Sequence, residues 1–240
     1  MNLGKLTENA FKRYRTTPNM VADVLREAIL SGILGDGQQL RQDEIAEQFG
    51  VSRIPVREAL RKLEAEGLVT FYPHRGAVVS QLSPGEVREI FEIRVLLECQ
   101  ALHLAIPHLS KSRLKQAEAI LEATDEEDDA SRLSEFNLEF HTILYTPANR
   151  PYLLSFINNL HANVDRYMRI CLHLIKHKAK SQQEHHQILE ACRQRDACTA
   201  VEILKRHIET GGKLVIEYLQ QERKIKSEAG KNNRAGKERG

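Results

Sequence analysis

Residues Gln42–Gly67 read QDEIAEQFGVSRIPVREALRKLEAEG, two short helices around a tight turn. Ile45, Ala46 and Phe49 recur at helical spacing, and Gly50 stands where a helix end needs a left-handed residue. Ser52 is placed to cap the second helix, with Val51 before it and Val56 four positions in as a hydrophobic staple. Pro55 falls in the first turn, where backbone N–H groups lack an intrahelical partner in any case. Val56, Ala59, Leu60 and Leu63 then form a buried stripe, and Arg53, Arg57 and Arg61 share another face. Guanidinium forks on such a helix suit phosphates and guanine edges in a major groove, and Ser52 with its neighbouring N–H groups suits a phosphate. Taken alone, an arginine stripe is equally well a solvated face.

The flanking sequence decides between the two. Gly67–Tyr72 is β-rich, Pro73–Gly76 is a turn, and Ala77–Ser80 is a second strand: a hairpin with a basic tip, where a winged helix-turn-helix carries its wing. Upstream, Val21, Val24, Leu25, Ala28 and Ile29 give a supporting helix that Gly32, Gly35 and Gly37 end. The run GVSRIPVREALRKLEAEGLV, closed by PHRGAVV, resembles the DNA-binding domain of the GntR superfamily of bacterial regulators. The resemblance implies contacts to a palindromic double-stranded operator from Ser52, Arg53, Arg57 and the wing tip His74, Arg75 and Gly76. Some members carry a further arginine contact where this chain has Asp43, and Arg41 is the nearby candidate to replace it.

Composition sets the bounds. The chain has 240 residues, enough for one large domain or two ordinary ones, with 41% hydrophobic and 28% charged residues. A net charge of +2 excludes a globally basic nucleic-acid coat, so DNA contact has to come from a local patch. The four cysteines show no C-x-x-C spacing and read as free thiols in a reducing bacterial cytoplasm. No run of residues resembles a signal peptide or a membrane span, so no membrane partner is expected.

At Gln81–Pro84 strand-like sequence stops; Ser83 can cap and Pro84 suits a first helical position. Beyond it six helices are expected, at about 84–105, 110–124, 128–146, 151–176, 180–194 and 196–226, with short connections that favour an antiparallel bundle. The expected organisation is a flexible arm over 1–17, a winged helix-turn-helix over 18–82, a helical domain over 83–226 and a disordered basic tail over 227–240. The fold class is mainly α with a small β-wing.

EVREIFEIRVLLECQALHLA with NLEFH, QEHHQILEAC and the RHI of the last helix resembles the FCD ligand-binding domain of FadR-type GntR regulators over about residues 84–215, and six helices suggest the VanR-like branch. Asn137 and His141 are one turn apart on a helix. The resemblance implies a divalent metal held by Asn137, His141, His185 and His207, zinc-like first with nickel and manganese open, and His186 is the adjacent alternative to His185. Many FCD domains have an aspartate where this chain has Asn137. The amide brings no charge, so metal affinity should be lower and an anionic ligand favoured in the open position. Without metal, the same histidines would bind a carboxylate or water directly. Arg94 matches an arginine that lines the effector pocket and suits a carboxylate effector, with Glu98 one turn on to orient it. The leading function is a homodimeric regulator, a repressor first, whose operator affinity a small organic acid controls. A metal-dependent enzyme using the three histidines is the alternative, although no H-E-x-x-H helix or nucleophile elbow supports it.

Overall fold

The structure, a computed structural model, describes residues 17–175 and 178–237; within these, the side chains at 170, 172–175, 223 and 225–237 lie outside the description. The expected arm over 1–17 therefore falls outside the described residues except for Thr17. The chain divides into two compact units, Met1–Gln81 with Asn158–Arg169, and Leu82–Ile157 with Ile170–Gly240.

The first unit is built from α1 (Thr17–Leu30), β1 (Gln39–Leu40), α2 (Gln42–Phe49), α3 (Arg53–Ala65), β2 (Val69–Tyr72) and β3 (Gly76–Val79). α1 and α2 pack on α3, so Val21, Leu25 and Ile29 meet Ile45, Phe49 and the expected stripe Val56, Ala59, Leu60 and Leu63 in one core. Gly50 closes α2 at φ 62°, and its N–H reaches the carbonyls of Ala46 and Glu47, which a residue with a Cβ would do only under strain. Ser52 occupies the N-cap position of α3 in extended conformation, but its side chain makes no capping bond. The hairpin is antiparallel, with Val69 opposite Val79 and Tyr72 opposite Gly76, and left-handed His74 and Gly76 turn it. β1 adds a third strand beside β3, pairing Gln39 with Val78 and Leu40 with Ala77. Two residues are too few to show an alternating pattern, so this strand has no signature in the sequence.

The second unit contains α4 (Pro84–Ala105), α5 (Lys111–Glu126), α6 (Ala130–Tyr145), parts of α7 (Pro151–Ile175), α8 (Lys178–Arg193) and α9 (Ala197–Lys237). α4 starts with a full capping box: Ser83 Oγ accepts from the Glu86 N–H at 3.2 Å, and the Glu86 carboxylate accepts from the Ser83 N–H at 2.7 Å. Pro84 follows at the first helical position. α4 packs on α9, where Gly212 admits the Phe91 ring: a Cβ there would lie 2.8 Å from the ring. α6 packs on α4 and α5, and α8 on α5 and α9. Most of the inward face of α4 is apolar, but Arg94 and Glu98 interrupt it, both buried. α9 continues to Lys237, through most of the stretch whose composition suggests a disordered tail; Lys, Arg, Glu and Ala are good helix formers even without an apolar stripe. Among the described residues no helix is long and apolar enough to cross a membrane.

Candidate functional site

Two groups of side chains stand out, one in each unit. In the first, a cleft of about 570 Å³ lies between the start of α2, the start of α3 and the wing tip, lined among others by Arg41, Asp43, Glu44, Arg53, His74 and Arg75. It brings together five of the expected contact residues, Arg41, Arg53, His74, Arg75 and Gly76, from three separate elements. Ser52 and Arg57 are exposed but do not line the cleft; Arg57 stands one turn further along α3. The wing tip is held in place, since Arg75 donates to the Gly37 carbonyl at 3.2 Å and its own carbonyl accepts from Gln39 at 2.6 Å. Asp43 takes the guanidinium of Arg53, and Glu44 pairs with Arg41 at 3.4 Å. All four side chains are well exposed, so each pair is weak and a phosphate can displace the carboxylate. Arg61, by contrast, is engaged: it pairs with Glu64 at 2.7 Å and lies 4.2 Å over the Phe71 ring.

In the second unit the bundle brings His141 of α6, His185 of α8 and His207 of α9 together, with one nitrogen of each inside a span of 4.8 Å. Of the adjacent pair, His185 is in this cluster, whereas His186 is half-exposed and faces Asp125 at 3.7 Å. Asn137 is half-buried one turn before His141 on α6.

The outer nitrogen of each ring is held by a different partner. Tyr145 gives its proton to Glu98 at 3.0 Å, so the 3.1 Å contact between the Tyr145 oxygen and His141 Nδ1 requires a proton on Nδ1. Gln182 donates its amide to the Leu121 carbonyl at 2.7 Å, which turns its oxygen to His185 Nδ1 at 3.3 Å. The Glu184 carboxylate accepts from His207 Nδ1 at 2.9 Å. With all three protons on Nδ1, a neutral ring presents a lone pair at Nε2. His185 Nε2 and His207 Nε2 are only 3.2 Å apart. Two lone pairs at that distance repel, and either one further proton or a cation relieves them. The donor set therefore fits a divalent metal that accepts imidazole nitrogen.

The electrostatics agree with this arrangement. Burial, followed by the neighbouring histidines, pushes the His185 pKa well below its ordinary range, so this ring is neutral and able to ligate. The hydrogen bond from His207 lowers the Glu184 carboxyl, keeping it anionic. Burial, with Glu98 beside it, raises the Tyr145 phenol, which keeps its proton. Arg94 donates from Nε to Glu98 at 2.7 Å and its guanidinium lies 4.7 Å from the Phe91 ring centre. Arg94 is thus joined to His141 through Glu98 and Tyr145.

Three of these residues were not among the expected site residues: Tyr145, Gln182 and Glu184. Tyr145 lies four residues after His141 and Gln182 three before His185, both helical spacings that put them on the same face as their histidine. Glu184 left no such signal, because its partner His207 comes from another helix.

A winged helix-turn-helix with arginines on its second helix, joined to a bundle with a buried histidine cluster, is the build of a DNA-binding regulator that senses a small molecule. The description of bacterial regulatory proteins of the gntR family matches residues 17–79, and that of the FCD domain matches residues 89–210. The chain belongs to the gntR family of bacterial regulators and carries an FCD domain. The HTH-type transcriptional repressor RspR of Escherichia coli (strain K12) is 29% identical over 189 residues, covering 78% of this chain and 83% of that protein. A solved structure of a transcriptional regulator (GntR family member) from Pseudomonas syringae pv. tomato str. DC3000 is 34% identical, covers 88% of this chain and 89% of that one, and has a TM-score of 0.54. E. coli McbR/YncC, 23% identical over 85% of this chain and 99% of its own, has a TM-score of 0.73 and speaks to the fold alone. The chain is accordingly a DNA-binding transcriptional regulator with an effector-binding helical domain, and not the metal-dependent enzyme weighed against it.

Proposed function

We propose that the chain acts in the bacterial cytoplasm as a homodimeric repressor on a palindromic operator, and that a small carboxylate bound beside a metal in the second unit controls it. The observation that carries the sensor reading is the convergence of one ring nitrogen from each of three histidines, with a separate partner at each Nδ1. His141, His185 and His207 would hold a divalent ion, zinc-like first, with Asn137 one turn from His141 as a fourth, neutral ligand. Such an ion supplies a Lewis-acidic position where a carboxylate oxygen can bind. Arg94, bonded to Glu98 on α4, is the proposed partner for the effector's carboxylate, oriented by that bond.

On DNA, α3 is the helix that enters the major groove, with Arg53 and Arg57 toward base edges and Ser52, Arg41 and the wing tip His74–Gly76 on the backbone and adjacent groove. The functional boundary runs through Gln81–Pro84, so residues 18–82 bind the operator and 83–226 sense and dimerise. One such helix reads only a few base pairs, and two-fold symmetry is the route to specificity. Leu96, Tyr152 and Phe156, which are 71%, 84% and 61% exposed on α4 and α7, supply apolar surface for the partner copy. The repressor reading draws on RspR, and the six-helix count of the bundle favours the VanR-like branch.

The test is metal analysis of the purified protein together with an operator titration of wild type and Arg94→Lys over a panel of small carboxylic acids. The reading expects near-stoichiometric metal, a dimer by light scattering, and an acid that shifts wild-type operator affinity but acts more weakly on Arg94→Lys. A monomeric, metal-free protein whose operator affinity no acid changes would refute it.

A further inference from the structure

The first turn of α3 presents a side chain that neither the core nor an ion pair explains. Ile54 is 62% exposed, although it lies between arginines on a helix whose other large apolar residues are buried. At 100° per residue, Ile54 stands about 180° from Leu63 and about 160° from Val56, so it points directly away from the packed stripe. On that outward face its nearest neighbours are Arg57, one turn along, and Glu58, both exposed. Arg61, the next cation on the face, is engaged by Glu64 and Phe71. The N-terminal residues of a recognition helix are those that reach base edges. An apolar group there has one distinctive partner in a major groove, the 5-methyl group of thymine; no other base displays an apolar group on that edge.

We infer that Ile54 is a specificity-determining residue that selects thymine at one position of each operator half-site by packing on its 5-methyl group. The inference rests on α3 being the helix that enters the major groove. Arg53 and Arg57, beside it, read hydrogen-bonding edges, while Ile54 excludes water from a methyl and disfavours cytosine, which lacks one. A solvent-exposed position is also one where the side chain can be cut back without harming the fold.

The experiment uses the full-length protein and an operator selected by it from random DNA. Each thymine is replaced in turn by deoxyuridine, which removes the methyl and nothing else, and affinities are measured for wild type, Ile54→Ala and Arg57→Ala. At one thymine per half-site, loss of the methyl should weaken wild-type binding about fourfold, the worth of one buried methyl group, and the two half-sites should multiply. Ile54→Ala should bind the thymine and uracil operators equally at that position while keeping the wild-type response at every other thymine. If no thymine shows a methyl effect that disappears in Ile54→Ala, or if the selected half-site has no thymine, the inference is overturned. Arg57→Ala separates the two levels: if it too binds the operator like wild type, the groove assignment of α3 has failed; if it weakens binding while the methyl pattern is absent, only the role of Ile54 has.

Discussion

Replacing Arg94 by alanine should destabilise the helical unit strongly, for a reason independent of any effector. Glu98 is fully buried, and its carboxylate is held by Arg94 Nε at 2.7 Å and by the Tyr145 hydroxyl at 3.0 Å. Arg94→Ala removes the guanidinium that faces this carboxylate and leaves the buried anion without that partner. Breaking a buried pair from one side costs about 3–5 kcal/mol. For a unit of this size that is a fall of roughly 10 °C in midpoint. The double variant Arg94→Met/Glu98→Leu removes both charges and leaves the neutral Tyr145 hydroxyl short of its acceptor, a loss of about 1–3 kcal/mol for such a group. The double variant should therefore be more stable than the single one, an ordering that lost packing alone would not give. Urea denaturation followed by circular dichroism at 222 nm measures both. A single variant within about 1 kcal/mol of wild type, or a double variant no better than the single, would show that the pair is not a buried charge pair.

Four further outcomes follow from the geometry. Glu184→Gln keeps a side chain at His207 Nδ1 but removes its charge, and should weaken metal binding about 10–100-fold in a chelator competition; unchanged affinity would remove Glu184 from the site. Asn137→Asp adds a carboxylate beside His141 and should raise affinity in the same assay; no gain would place Asn137 outside the ligand set. The unfolded chain protonates His185 near its ordinary value of 6.5, whereas the folded chain does not, because burial holds the ring neutral. Stability of metal-stripped protein should thus be complete above that pH and fall below it, by up to about 1.4 kcal/mol per pH unit for this proton. Urea midpoints that stay constant from neutrality into that range would show that the folded chain takes up the proton. Among the cysteines, burial pushes Cys192 up to about 12 and Cys99 and Cys171 to about 11, while Cys198 is exposed. A thiol reagent at neutral pH should label Cys198 first in mass spectrometry, and early labelling of Cys192 would mean that the α8 end of the bundle opens.

Much of this architecture was legible because its signals are local. Gly50, Ser83 and Pro84 mark helix ends by backbone chemistry that acts within a few residues, and the stripe of α3 repeats at the helical period. β1 escaped because two residues carry no period, and it forms only where Leu40 can be buried against the wing. The histidine cluster was readable by resemblance, but the bonds that fix its tautomers were not: Tyr145 to Glu98 spans 47 positions and Glu184 to His207 spans 23. Such pairs depend on how helices are rotated against one another, which no single helix records. Ile54 shows the opposite case. It reads as an ordinary apolar residue in the sequence, and only its exposure on the outward face of α3 sets it apart.

The central claim is that the helical unit controls DNA binding through the three-histidine cluster. A fluorescence-anisotropy titration of labelled operator tests it, using wild type and His207→Ala with and without the acid that gives the largest thermal shift in a carboxylate screen. Wild-type affinity should change with the acid by about 5–150-fold, as for a coupling of about 1–3 kcal/mol, whereas His207→Ala should bind the operator like the acid-free wild type and not respond. A folded His207→Ala protein that responds to the acid as wild type does would contradict the claim.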